Sequence, residues 1–281
     1  MRSANPVRWM AAAIVMVAAP AIAFAAAAPE YKSSWEHYLA LRSAAQGGIR
    51  MTWDKLPDWS GVWVRAGGFA GLNWDANQKP GQRATAVLTP EYQQRYDRKL
   101  ELLSKGIEND PIAQCLPAGH PRFLAEPYPR EFVLRPEQAW LMMEEGNEVR
   151  RIYMDGRGHL PEDEAQPQPH GDSIGFWDGD TLVVHTKDLR AGQYQKNQPD
   201  YSDQITSVER IRKVDASTIE VDITVYDPPA LAKPWRVVAR FSKITDLPNL
   251  RLNYWPCVEN NRVIVNPDGT ISMKLNSAES P

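Results

Sequence analysis

Cysteine is nearly missing from this chain, at 2 residues of 281, and histidine is sparse, at 5. Two cysteines cannot build a zinc ribbon or a second CxxC pair. Neither sign of charge dominates: 32 Lys+Arg stand against 35 Asp+Glu, for a formal charge of -3, and no basic stripe runs through the sequence. A phosphate backbone would find no footprint, so nucleic acid is not an expected partner. There is no Walker loop, dinucleotide fingerprint or HExxH, and the reading therefore names no cofactor and no metal. Beyond the first residues no apolar run is long enough to span a bilayer. What the chain does hold is 10 tryptophans and 23 prolines in an otherwise ordinary composition, 43% hydrophobic and 24% charged. That excludes collagen, coiled coil and wholesale disorder, and points to a loop-rich β protein.

The N-terminus reads as a targeting segment. Arg2 and Arg8 form a basic head, Met10 to Ala23 an apolar core, and Ala21-Ile22-Ala23 or Ala23-Phe24-Ala25 a small-residue cleavage site. A secretory signal peptide over residues 1–25 is expected, with a retained anchor as the alternative. Residues 26–281 then form one β-rich domain with an N-terminal helical segment, periplasmic or secreted from a bacterium, with no membrane attachment after cleavage. In an oxidising compartment Cys115 and Cys257 are expected to pair; two buried thiols are the other reading.

Two helices are legible. Ser33 and Glu36 make a capping box, with Trp35, Tyr38, Leu39 and Leu41 as an imperfect apolar face and Gly47-Gly48 as the stop. Thr89-Pro90 opens a second helix, which carries Tyr92, Tyr96, Leu100 and Leu103 and ends at Gly106. From Trp59 onward the period is mostly two. Strands are expected at 59–66, 130–135, 139–145, 149–154, 173–177, 181–188, 205–214, 217–226 and 235–244. Asp178-Gly179-Asp180 and Asp215-Ala216 serve as tight connections. A meander of this length must hide its edges. The expected fold is therefore mainly β: a single antiparallel lipocalin-like barrel or strongly curved sheet with two peripheral helices, or else a two-sheet sandwich.

Several motifs are distinctive: Arg150-Arg151-Ile152-Tyr153-Met154-Asp155-Gly156-Arg157-Gly158-His159, Ser173-Ile174-Gly175-Phe176-Trp177-Asp178-Gly179-Asp180-Thr181-Leu182-Val183-Val184, Gly119-His120-Pro121-Arg122 and Cys257-Val258-Glu259-Asn260-Asn261-Arg262. With them the chain resembles a large family of exported, mostly uncharacterised bacterial β-rich proteins. That family often has histidine at the positions of Asp172 and Tyr201. The resemblance implies export and a β fold, and implies no reaction.

Functional expectations come from the residues themselves. Gly171-Asp172-Ser173-Ile174-Gly175 matches G-x-S-x-G, but Ser173 leads into a strand and not a helix, so it is not expected to be a nucleophile. His159, His170 and His185 could converge with Glu162, Asp163 or Asp172 on a metal, although the spacing has no ligand signature; hydrogen-bonded histidines are the plainer account. Arg151 and Tyr153 share a strand face, and the following loop brings His159 and His170. These four are the candidate catalytic set, with Glu131, Trp177, Asp203, Glu209 and Arg210 as candidate substrate contacts. Such groups suit a cofactor-independent acid/base enzyme, a lyase or isomerase, acting on a small hydrophobic or aromatic molecule. A non-catalytic periplasmic ligand carrier and an envelope interaction protein are the alternatives, and the sequence leaves the oligomeric state open.

Overall fold

The computed structural model describes residues 31–66, 87–107, 110–196, 198–247, 249–257, 263–265 and 271–273. The expected signal peptide and the Val258 to Arg262 end of the last motif lie outside them. The elements in chain order are α1 (Ser34–Ala44), β1 (Trp63–Arg65), α2 (Pro90–Ser104), β2 (Arg130–Leu134), β3 (Gln138–Met143), β4 (Glu148–Tyr153), β5 (Asp172–Asp178) and β6 (Thr181–Lys187). There follow β7 (Gly192–Gln193), β8 (Asp200–Tyr201), β9 (Thr206–Asp215), β10 (Thr218–Tyr226), β11 (Trp235–Lys243), β12 (Val263–Val265) and β13 (Ile271–Met273).

Nine strands close into a barrel in the order β1-β11-β10-β9-β6-β5-β4-β3-β2, while β7 pairs with β8 and β12 with β13. All nine fall where alternation placed them. The expectation of a purely antiparallel sheet is corrected: β4 and β5 run parallel, registered at Tyr153 and Ile174. Geometry demands this. Around a closed ring, directions can alternate everywhere only if the strand count is even, so an odd ring must hold a parallel joint. Residues 154–171 supply the crossover.

The described apolar side chains of the interior pack together. Ile219, Val221, Ile223 and Val225 of β10 meet Val237, Ala239 and Phe241 of β11, Leu182 and Val184 of β6, and Trp59, Trp63 and Trp177 in one apolar cluster. On the wet face of β10, Glu220 binds Arg212 and Arg240, and Asp222 binds Arg236. These exposed pairs add little energy but keep the outer face of β9, β10 and β11 in solution.

Both helices lie outside the barrel. The Ser33 hydroxyl caps α1 by accepting from the Glu36 amide, and Glu36 in turn accepts from Lys32 N. Tyr38 of α1 packs with Ile174, Phe176, Val183, Val208 and Tyr226 on the outer face of β5, β6, β9 and β10. Leu41 packs partly buried against the same cluster, while Trp35 and Leu39 of the expected apolar face stay exposed. The helix stop is enforced sterically. Gly48 has φ +85, and a Cβ there would lie 2.7 Å from the Phe176 ring. On α2 only Tyr92 is buried, and Lys99 reaches Gln193, Gln198 and Asp200.

Candidate functional site

Strands β5 and β6 carry polar groups on both faces, and the two faces hold different networks. On the inner face Arg150 of β4 grips Glu209 of β9 through both terminal nitrogens and also donates to Thr186 at 2.8 Å and to Ser173 at 3.3 Å. Neither side chain of that ion pair has any exposed surface. His120 adds Nε2 at 2.9 Å from Ser207 and 3.7 Å from Glu209. Burial, reinforced by the Arg150 charge, holds its pKa well below the ordinary histidine value. Nearby, Glu148 accepts from the amides of Ala118 and Gly119 and lies 2.8 Å from His170. Carboxylate, guanidinium and hydroxyls satisfy one another there, as buried charge requires.

The outer face holds a chain of a different kind. His159 Nδ1 lies 2.7 Å from Asp172 Oδ2, and His159 Nε2 lies 2.7 Å from His185 Nδ1. His185 Nε2 is 2.9 Å from Ser34 Oγ, which donates its hydroxyl proton to Thr206 Oγ1 at 2.7 Å. Four elements position it: Asp172 opens β5, His185 projects outward from β6, Thr206 opens β9, and Ser34 begins α1. His159 comes from the crossover, held over the sheet because Asp172 also accepts the Leu160 amide at 3.0 Å. The Trp35 indole covers the two imidazoles edge-on, with ring centroids 5.9 Å and 5.2 Å away.

The electrostatics of this chain are graded. Burial, with smaller contributions from His159 and Lys187, pushes the His185 pKa down to about 3, so that ring is neutral near pH 7. Asp172 stays below its ordinary value: burial opposes ionisation, but the His159 hydrogen bond and the Leu160 amide more than offset it. A carboxylate thus orients one imidazole, which orients a second, which meets a hydroxyl. Each bond uses a different ring nitrogen, so the groups form a wire and not a chelate. Among the described residues no group of three or more His, Cys, Asp or Glu is disposed to hold a metal ion.

The expected site residues are dispersed. Arg151 is exposed and faces away from the barrel, because parity on β4 turns Glu148, Arg150 and Ile152 inward. Tyr153 shares its outward face and lies beneath the Arg157 guanidinium, 4.3 Å from the ring centroid. His159 joins the outer wire, whereas His170 joins the inner set beside Glu148 and Phe123. Glu209 is the inner carboxylate, and Trp177 is core against Trp59. Glu131 faces outward on β2, Asp203 is exposed in a loop, and Arg210 lies 3.5 Å from Asp178 on the outer surface. The structure does not bring the nine together. Ser173 has no exposure and its hydroxyl is held by Arg150 and Thr186.

Asp172, His185, Ser34 and Thr206 are the groups of the wire that sequence reasoning left out of the set. The signal for His185 was its place between Val183 and Lys187, an imidazole on a strand face shared with Asp172 across the β5–β6 hairpin. Ser34 carried none, being one of two serines at a helix start.

Apart from the wire, a cleft of about 120 Å³ opens between residues 111–122 and 190–193, walled by Pro117, Pro169, Arg122, Gln193 and Tyr201. Cys115 and Cys257 are joined in a disulfide beside it, with Cα atoms 5.7 Å apart. Among the described residues no helix is long and apolar enough to cross a membrane. Set against known proteins, the chain matches no protein-family model and no curated protein.

Proposed function

We propose that this is an exported, cofactor-independent acid/base enzyme acting on a small hydrophobic or aromatic molecule, with Asp172, His159 and His185 as its proton-transfer groups. One observation carries the reading: the unbroken hydrogen-bonded sequence carboxylate, imidazole, imidazole, hydroxyl on the barrel's outer face. A wire of this kind moves a proton without moving a heavy atom, and its carboxylate stabilises the imidazolium that results. Trp35, 43% exposed, and Leu160, 48% exposed, give an apolar rim for a flat substrate. The signal-like N-terminus, the family-like motifs and the disulfide support export from a bacterial cell. Arg151, Tyr153 and His170 are no longer part of the catalytic set, since none of them touches the wire.

The carrier reading would use the cleft beside Tyr201. The two readings separate in one experiment. Small aromatic acids, esters and lactones are screened for turnover and for thermal stabilisation of the mature protein. The enzyme reading expects His159→Gln and His185→Gln each to cost about a hundredfold or more in rate, and Arg151→Met to leave the rate unchanged within several-fold. Turnover indifferent to both histidines sinks it. Ligand binding that is abolished at the cleft but untouched at the wire moves the weight to the carrier.

A further inference from the structure

We infer that Ser34 is a nucleophile and that the wire serves acyl transfer, with a water-consuming esterase activity on aromatic or hydrophobic esters. This rests on the acid/base reading above and names its reaction class. Arg151, the arginine expected to hold an enolate in a lyase or isomerase, points away from the wire. What ends the wire is a hydroxyl: Ser34 Oγ, 2.9 Å from His185 Nε2.

Two imidazoles in series solve an electrostatic problem that one would not. Ser34 and His185 are both nearly enclosed, at 5% and 3% exposure, and an imidazolium at His185 would be a buried charge. With a proton on each Nδ1, the Ser34 hydroxyl turns from Thr206 Oγ1 to His185 Nε2, and its oxygen forms the bond to the acyl carbon while its proton passes to that nitrogen. The His185 Nδ1 proton passes in the same motion to His159 Nε2. His185 ends neutral. The positive charge appears on His159, 2.7 Å from the Asp172 carboxylate. Collapse of the tetrahedral adduct breaks the bond to the leaving alcohol or phenol, which takes the proton from His185 Nε2 as the wire reverts. Water then repeats the cycle on the acyl-serine, releasing the acid and restoring the Ser34 hydroxyl. Trp35 packs edge-on against both rings, so an ester that reaches the wire passes beside its indole.

The test uses the mature protein and a fluorophosphonate probe, with the adduct located by mass spectrometry and each variant's fold checked by circular dichroism. A single adduct on Ser34 is expected. It should be absent in Ser34→Ala, slowed about a hundredfold or more in His185→Gln and Asp172→Asn, faster in Trp35→Ala, and unchanged in Ser173→Ala. A folded protein that stays unlabelled at Ser34 overturns the inference; if His159→Gln and His185→Gln still abolish turnover of a screened substrate, the acid/base reading survives that failure. Labelling of Ser34 at an equal rate in the histidine variants overturns both.

Discussion

Arg150 and Arg151 are adjacent, carry the same charge, and have opposite fates because side chains alternate across a strand. Arg150 projects into the barrel against Glu209, Ser173 and Thr186, and Arg151 projects into water. The cost of an error is correspondingly unequal. Glu209→Gln or Arg150→Met leaves a buried charge with no counterion, and the expected loss is about 3–5 kcal/mol in urea unfolding. Arg151→Ala should change the same midpoint by no more than about 0.5 kcal/mol. Equal effects from Arg150 and Arg151 would falsify the assignment of faces. At this scale the sequence was half legible. Glu209 stood out as a carboxylate in a β run, but its partner could be named only once parity on β4 was known, and parity depends on which face the core claims.

For α1 the sequence showed the ends and not the face. Ser33, Glu36 and Gly47-Gly48 are local signals, and they place the helix correctly. Which side it buries is decided by the sheet: Tyr38 lands on Ile174 and Phe176, while Trp35 stays over the imidazoles. Docking Ser34 against His185 makes the helix sensitive to protons. The groups facing His185 are His159 and Asp172 from the crossover and β5, Lys187 from β6 and His37 from α1. Its pKa is about 3 in the folded protein against an ordinary value of 6.5, so between those limits the unfolded chain holds a proton that the folded chain does not. Stability from this group is therefore intact above roughly pH 6.5 and falls with pH by up to about 1.4 kcal/mol per unit on the way down. Urea titrations from pH 7 to 4 should show that slope in the wild type and a shallower one in His185→Gln. An identical slope in both would mean that His185 does not stay neutral beneath the helix.

The ring of the barrel and the strap outside it answer to different constraints. Closure with nine strands is a property of the entire circuit, so the parallel joint at Tyr153 and Ile174 could not be read from any local window, although every strand could. The disulfide is likewise a long-range fact, but a legible one, because the chain holds only two cysteines, Cys115 and Cys257. It spans a sequence separation of 142 residues, a cross-link worth on the order of 5 kcal/mol in the chain-entropy model. That figure holds only if the native state is unchanged by reduction. The segment ending at Cys257 touches the barrel through polar contacts at its surface: Asn253 N to Glu144, Trp255 N to Asn147, and the Trp255 ring against Tyr128. Exposed bonds of this sort contribute about 1 kcal/mol each, less than the ordering entropy of the residues that make them. Reduction, or Cys115→Ser, should accordingly release the strap while the ring stays closed, and the loss of global stability should fall short of 5 kcal/mol. Amide hydrogen exchange reads this directly. The amides of Asn253 and Trp255 should exchange much faster after reduction, and those of Val221 and Ile223 should keep their protection. If all four lose protection together, the strap is integral to the barrel and the cross-link acts on the whole molecule.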